Sequence, residues 1–390
     1  MTPAISASRI SYVPDYDEYR LRAKRRQAEE DIPTSLPNGL PEQLHSPLVW
    51  SGKDFSDPSS WTYYLSTSDI EEVTHALRHF QSLNLSKGCI SQATFPLPAV
   101  GPALRRLSKE LHSGRGFFVI RGLPIDKYTA NETVLLYTGI SSYIGSLRGR
   151  QDSQYNGQQA DVVLSHVVDL NAVVGRPAIG SPAFTADAQG FHTDTGDIVG
   201  LLMIGEGAEG GESCLASTGK IYNELAASRP DLIRTLASEW AIDGFKRSST
   251  PYYLRALLYY TPATPKAPER ILQFSRRSFT GYAGYKRSEY MPPLSEAQAE
   301  ALDALHFTAR SNDLTMDLKK GNMQFINNLA LVHGRGAFRD ELGNRDEELG
   351  WEVPGPLKGV WEGVYGGMKG KEECQVFPAA PVVGGAQYAL

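Results

Sequence analysis

Apolar positions along this chain recur with two periods. Ile70, Val73, Leu77 and Phe80, within 68 to about 85, return every three or four positions, the mark of a helix burying one face. The segments 103–112 and about 131–144 read the same way. So do 220–227, 230–238 and 295–311, the last opened by Ser295 as a cap with Glu296 just behind it. Between them stand short apolar runs closed by glycine or proline: 116–124 (GFFVIRGLP), 162–168, 198–204, 212–217, 253–260, 271–274 and 323–327. A further apolar run, 323–332, leads up to His333 and reads as a buried strand. Short strands broken by turns, with helices interspersed, predict a sheet-rich barrel, α+β and mainly β, with helices packed outside.

Both ends are different in character. Residues 1–65 are polar and proline-punctuated, with one charged helical stretch from 16 to about 31 that carries Arg20, Arg22, Lys24, Arg25 and Arg26. This reads as an arm that packs over the core or meets another subunit. The barrel domain is expected over 66–365, followed by a Gly- and Pro-rich tail, 366–390. With 390 residues, 41% of them hydrophobic, the chain has enough apolar material for one large core.

Charge and cysteine content narrow the partners. A net charge of −5 offers no basic face for nucleic acid, which favours a small-molecule partner. Cys89, Cys214 and Cys374 are widely spaced and form no Cys-x-x-Cys pair, so they read as free thiols of a reducing compartment. No run of 18 apolar residues and no leader pattern is evident, so a cytoplasmic protein without a membrane segment is expected. His75 and His79 lie one helical turn apart but lack a third ligand, and read as ordinary helix residues.

The chemistry gathers at His192-Thr193-Asp194 and, about 140 positions further on, His333. On extended backbone residues i and i+2 project to one side, so His192 and Asp194 can grip one ion while Thr193 faces away. Two imidazoles and one carboxylate occupy one face of an octahedral iron(II) and leave three positions open. The third ligand then has to come from a distant strand brought alongside by folding.

Several stretches in order resemble the TauD/TfdA-like (taurine dioxygenase) family of iron(II)- and 2-oxoglutarate-dependent oxygenases, most closely its fungal branch. They are GFFVIRGLP at 116–124, SPAFTADAQGFHTDTGDIVGLL at 181–202, GGESCLAS at 210–217, ILQFSRRSFTGY at 271–282, PPLSEAQAEALDALHF at 292–307 and FINNLALVHGRGAF at 325–338. The resemblance implies a distorted double-stranded β-helix, or jelly roll of the clavaminate synthase type, with the metal at one mouth. It assigns metal ligation and catalysis to His192, Asp194 and His333. It also implies Fe(II), 2-oxoglutarate as cosubstrate and O2, with oxidative decarboxylation to succinate and, as the usual outcome, hydroxylation of a small organic substrate. Homo-oligomers are common in the family.

In the family the distal carboxylate of 2-oxoglutarate meets a hydroxyl and an arginine. Ser213 stands where the Gly-Gly-Asp/Glu-Thr motif carries threonine and offers the same O–H. The arginine-bearing strand that follows the distal histidine, of the type Arg-His-Leu-Leu-Arg-Leu-Trp, has no counterpart between Phe338 and Trp351, as though one strand were missing between about 342 and 346. The sequence leaves three readings: a shortened gene product, a variant in which Arg335, Arg339 or Arg345 meets the cosubstrate, or a metal-binding homologue that does not turn over 2-oxoglutarate. Oxidation independent of 2-oxoglutarate is a further alternative. Arg276 or Arg277 could meet an acidic substrate, His166 and Asn327 read as hydrogen-bonded core residues near a pocket, and Asp197 as a residue that orients a ligand histidine or caps a turn.

Overall fold

Two four-stranded sheets pack face to face, and the alternation of side chains on their strands explains both the core and the site. The structure, a computed structural model, describes residues 10–29, 31–243, 250–262, 272, 274–339 and 371–380. One sheet runs in the order Thr62–Tyr64, Phe117–Arg121, Met323–Asn327, Ile198–Leu202. The other runs Leu314–Met316, Ser213–Ser217, Leu331–Arg335, Gln189–His192. All pairings are antiparallel except that of Thr62–Tyr64 with Phe117–Arg121.

Phe117, Val119, Val199, Leu201 and Ile326 of the first sheet share one buried cluster with Leu215, Leu314, Met316 and Leu331 of the second. Their strand neighbours point the other way. Phe118, Ile120, Ile198, Leu202, Met323 and Phe325 face the helices Thr67–Ser82, Val100–Ser113 and Ala130–Ser141. Phe191, Cys214, Ala216 and Val332 face Thr218–Ser228, Pro230–Leu236 and Glu296–Asn312. Strands covered on both faces are apolar throughout, which is why 117–120 and 198–202 read as continuous runs rather than as alternation. Close packing leaves no room for a side chain at Gly200, where a Cβ would stand 2.9 Å from the Tyr137 hydroxyl and 3.1 Å from the Phe325 ring.

The expected helices form. Ser66, Thr129 and Ser295 each close a capping box, the last with Gln298 as its partner and Glu296 in the first turn as expected. Residues 271 and 273 of the strand expected at 271–274 lie outside the described residues, and three other strand expectations need correction. The run 323–332 is two strands in opposite sheets, joined by a turn at 328–330, and His333 lies inside the second strand rather than beyond the first. The strand expected at 162–168 ends at Val162, as half of the hairpin Asp152–Tyr155 and Gln158–Val162. Its turn residues Asn156 and Gly157 both have positive φ, 50° and 75°, an Asn-Gly turn signal present in the sequence. The strand expected over 253–260 is only Tyr252–Arg255, paired with Trp240–Asp243.

The N-terminal segment lies on the barrel. Its helix Tyr16–Gln27, capped by Asp15, packs against Glu296–Asn312. Arg22 meets Asp303 and Glu296, while Arg26 meets Asp231 and Glu300. All three cysteines are free, and no helix among the described residues is long and apolar enough to cross a membrane.

Candidate metal centre

The inward alternation that builds the apolar core continues, past Leu331 and Leu215, into polar residues. His333 follows Leu331 by two positions on the same face, and Arg335 follows by four. His192 pairs with His333 across the sheet, and Phe191 beside it faces outward, so both imidazoles point into the space between the sheets. Their ring centroids are 4.2 Å apart.

Asp194 follows the end of its strand. Its carboxylate oxygens lie 3.7 Å from His192 Nε2 and 3.4 Å from His333 Nε2. One donor atom from each of the three lies within 4.8 Å of the others, the one such cluster of three among the described residues. The two imidazoles are buried, and the Asp194 side chain is 54% exposed, facing the mouth.

Hydrogen bonds fix the tautomer of His192. Its Nδ1–H donates to the Gly190 carbonyl at 2.9 Å, leaving Nε2 as the lone pair that turns toward Asp194. The Gln189 side-chain amide rests on that nitrogen at 3.0 Å. Burial first, and then the neighbouring His333, push His192 down to about 4, so it is a neutral ligand at pH 7. Partial burial works against the Asp194 charge, but the His333 hydrogen bond and both imidazoles hold its carboxyl well below the usual range. Two imidazole nitrogens and one carboxylate, gathered at an open mouth, fit a divalent transition metal.

Thr193 faces away, as expected. Its N–H donates to the Phe274 carbonyl at 2.8 Å and its hydroxyl accepts from the Phe274 N–H at 2.9 Å. Behind the loop, Asn328 bonds both ends of Asp194.

Ser213 and Arg335 are register partners, and both face inward beside the histidines. The Ser213 hydroxyl donates to Gln324 Oε1 across the two sheets at 2.9 Å, and Gln324 is fully buried. The Arg335 guanidinium is buried over the Phe338 ring and donates to the carbonyls of Thr185 and Asp187, at 2.6 and 2.9 Å. This binds the approach to the His192 strand to the distal strand. Arg339 is a surface residue paired with Glu209, and Arg345 and the interval 342–346 lie outside the described residues.

Arg276 and Arg277 occupy a turn and the start of a short helix, Arg277–Thr280, rather than a strand, and they part company there. Arg276 turns inward to Asp303 at 2.7 Å. Arg277 donates to the Gly180 carbonyl at 2.8 Å, and its charge adds to the lowering of both His192 and Asp194. His166 is buried with Nε2 against the Pro378 carbonyl, and Asn327 bonds the Leu111 carbonyl, so both are core residues. Asp197 is buried, and its carbonyl accepts the Asn328 N–H. His75 and His79 are exposed on their helix. Gln189, Gln324 and Asn328 belong to the centre without having been singled out from sequence; a lone glutamine inside the apolar run Met323–Ile326 is the one signal that could have marked Gln324.

Two facing four-stranded sheets, with two histidines and an aspartate at one inner mouth, define a double-stranded β-helix of the non-haem iron oxygenase class. The model of the taurine catabolism dioxygenase TauD, TfdA family matches residues 81–349, and the chain belongs to that family. It is thereby an oxidoreductase of the class that uses iron(II) and 2-oxoglutarate. It is 34% identical, over 81% of its length and 83% of the relative's, to a taurine hydroxylase-like protein, SAT17, of Stachybotrys chartarum. It is 24% identical to the FR-33289 synthase of Streptomyces rubellomurinus, over 75% of this chain and 84% of that one. Among solved structures, asparagine oxygenase in complex with Fe(II), 3-hydroxyasparagine and succinate superposes with a TM-score of 0.57 at 18% identity, covering 82% of this chain and 99% of that one. The non-haem iron oxygenase OrfP in complex with Fe and alpha-ketoglutaric acid gives 0.54 at 16% identity, covering 81% and 100%.

Proposed function

We propose that this chain holds iron(II) through His192, Asp194 and His333 and oxidises a small organic substrate at the expense of 2-oxoglutarate. The observation that carries the reading is the convergence of the three donors within 4.8 Å at the inner mouth of the barrel. Iron bound there would supply the oxidising chemistry: 2-oxoglutarate and O2 give succinate and carbon dioxide, and the second oxygen atom goes to the substrate, most simply as a hydroxyl group.

The residues around the triad have separable tasks. Gly190 keeps His192 Nε2 deprotonated and aimed, and Asn328 keeps the Asp194 backbone in place. Arg277 sets a positive field at the mouth, which suits a carboxylate on the cosubstrate or on the substrate. Ser213 and Arg335 supply a hydroxyl and a second cation on the same inner face. In the geometry described all three are engaged, Arg335 by the carbonyls of Thr185 and Asp187, Arg277 by that of Gly180 and Ser213 by Gln324, so contact with a bound acid requires an exchange of partners.

The test is an anaerobic titration. Protein loaded with iron(II) should develop a visible charge-transfer band on addition of 2-oxoglutarate, and admitting air should release succinate. Folded protein that yields neither band nor succinate would refute the reading. Iron binding lost in His192→Ala, with no turnover in the wild type, would support a metal-binding homologue instead.

A further inference from the structure

The N-terminal segment precedes the span 81–349 covered by the family model, yet it reaches the metal centre. Ile10 sits in the same apolar cluster as Phe191, the neighbour of His192. Two residues on, the Tyr12 ring stands edge-on to Tyr282, with centroids 5.1 Å apart. The Tyr282 hydroxyl donates to Asp187, just ahead of the His192 strand. The Tyr12 oxygen accepts the Gly190 N–H at 3.2 Å. Gly190 in turn offers its carbonyl to His192 Nδ1–H at 2.9 Å. The segment is tied down on both sides of Tyr12, through the Ser11 carbonyl, which accepts from Arg276 Nε at 2.9 Å, and through the ion pairs of Arg22 and Arg26.

We propose that Tyr12 is a positioning residue for His192. Gln189–His192 is the outermost strand of its sheet, so the Gly190 N–H points where a further strand would pair. The Tyr12 hydroxyl takes that place. Gly190 has no side chain to restrain its backbone, and the hydroxyl bound to its N–H is what holds the residue with its carbonyl aimed at the imidazole. Burial raises the Tyr12 phenol above its ordinary range, so the group stays neutral at pH 7. Groups that orient a metal ligand in this way govern affinity as well as rate. The inference rests on the iron-binding reading given above.

Tyr12→Phe keeps the ring against Tyr282 and removes only the oxygen. Cobalt(II) titration of the full-length protein, followed by its visible ligand-field bands, reads the centre without turnover. The expected result is roughly a 10-fold loss of cobalt affinity with shifted bands, while the metal-free protein melts close to the wild type. Tyr16→Phe is the control, because that ring packs on Phe307 in the same segment and away from Gly190. Cobalt affinity and bands unchanged in Tyr12→Phe would overturn the positioning role and leave the iron reading intact. An equal loss in Tyr16→Phe would overturn it too, since the effect would then belong to docking of the segment as a whole. A wild-type protein that takes up no cobalt, or takes it up equally well as His333→Ala, would overturn both.

Discussion

Asn328 holds Asp194 at both ends of one residue: its Oδ1 accepts the Asp194 N–H at 2.9 Å, and its Nδ2 donates to the Asp194 carbonyl at 2.9 Å. The same amide nitrogen reaches the Gly196 carbonyl at 2.5 Å. One side chain from the turn between the two sheets therefore fixes the loop that carries the carboxylate.

Asn328→Ala removes these bonds and leaves the three ligands untouched. We expect a loss of 10- to about 100-fold in iron(II) or cobalt(II) affinity. Asn328→Asp should be at least as damaging, because a carboxylate would face two carbonyls where an amide now donates. Metal titration of both variants checks this, and wild-type affinity in Asn328→Ala would contradict it.

Ser213→Ala should cost stability as well as cosubstrate affinity. Gln324 Oε1 would lose its donor inside the sandwich, at a cost of about 1–3 kcal/mol by urea denaturation. Ser213→Thr, which keeps the hydroxyl, should recover part of it. If Ser213 also meets 2-oxoglutarate, the KM for that cosubstrate rises in Ser213→Ala while iron affinity stays level.

Asp303 is shared by Arg22 of the N-terminal helix and Arg276 of the turn beside the site. All three side chains are buried. Asp303→Ala would strand Arg276 and weaken the hold on Arg22, a change that typically costs about 3–5 kcal/mol. Chemical denaturation measures the total, and limited proteolysis should show cleavage moving into residues 10–27. Stability within 1 kcal/mol of wild type would mean that the network is dispensable.

Burial, ahead of neighbouring charge, pushes both His192 and His306 down to about 4. An unfolded chain protonates histidine near pH 6.5, so between roughly 6.5 and 4 it binds more protons than the folded one. Stability of the metal-free protein should therefore fall as the pH drops through that window and be level above it. Melting temperatures from pH 7.5 to 4.5 would show the slope, and His306→Asn should flatten it. A flat wild-type profile would contradict the assignment.

The candidate ligands stood out in the sequence through the family-like stretches around them, since a His-x-Asp triplet alone says little, and the structure brings His192, Asp194 and His333 together. Thr62–Tyr64, Gln189–His192 and Leu314–Met316 were not among the expected strands, whereas 117–120 and 198–202 were legible because burial on both faces makes them continuously apolar. That same property hid the register: in Phe117-Phe118-Val119-Ile120 nothing local says which residues face the partner sheet and which the helices. For the same reason 323–332 read as one strand, when Asn328 turns the chain from one sheet to the other. Gln324, Asn328 and Tyr12 meet neighbours far away in sequence, so their places could be read only once the two sheets were assembled.

The turn at 328–330 joins strands of opposite sheets, and the ligands it helps to align are separated by about 140 residues of chain. Closing so long a loop is slow, and the contacts that reward it appear only when Gln189–His192 pairs with Leu331–Arg335. The three donors therefore converge only once that long loop has closed. A metal ion arriving during synthesis would meet at most the His192–Asp194 pair; held by all three donors it would act by mass action on the finished barrel, as a latch that lowers the population of opened molecules.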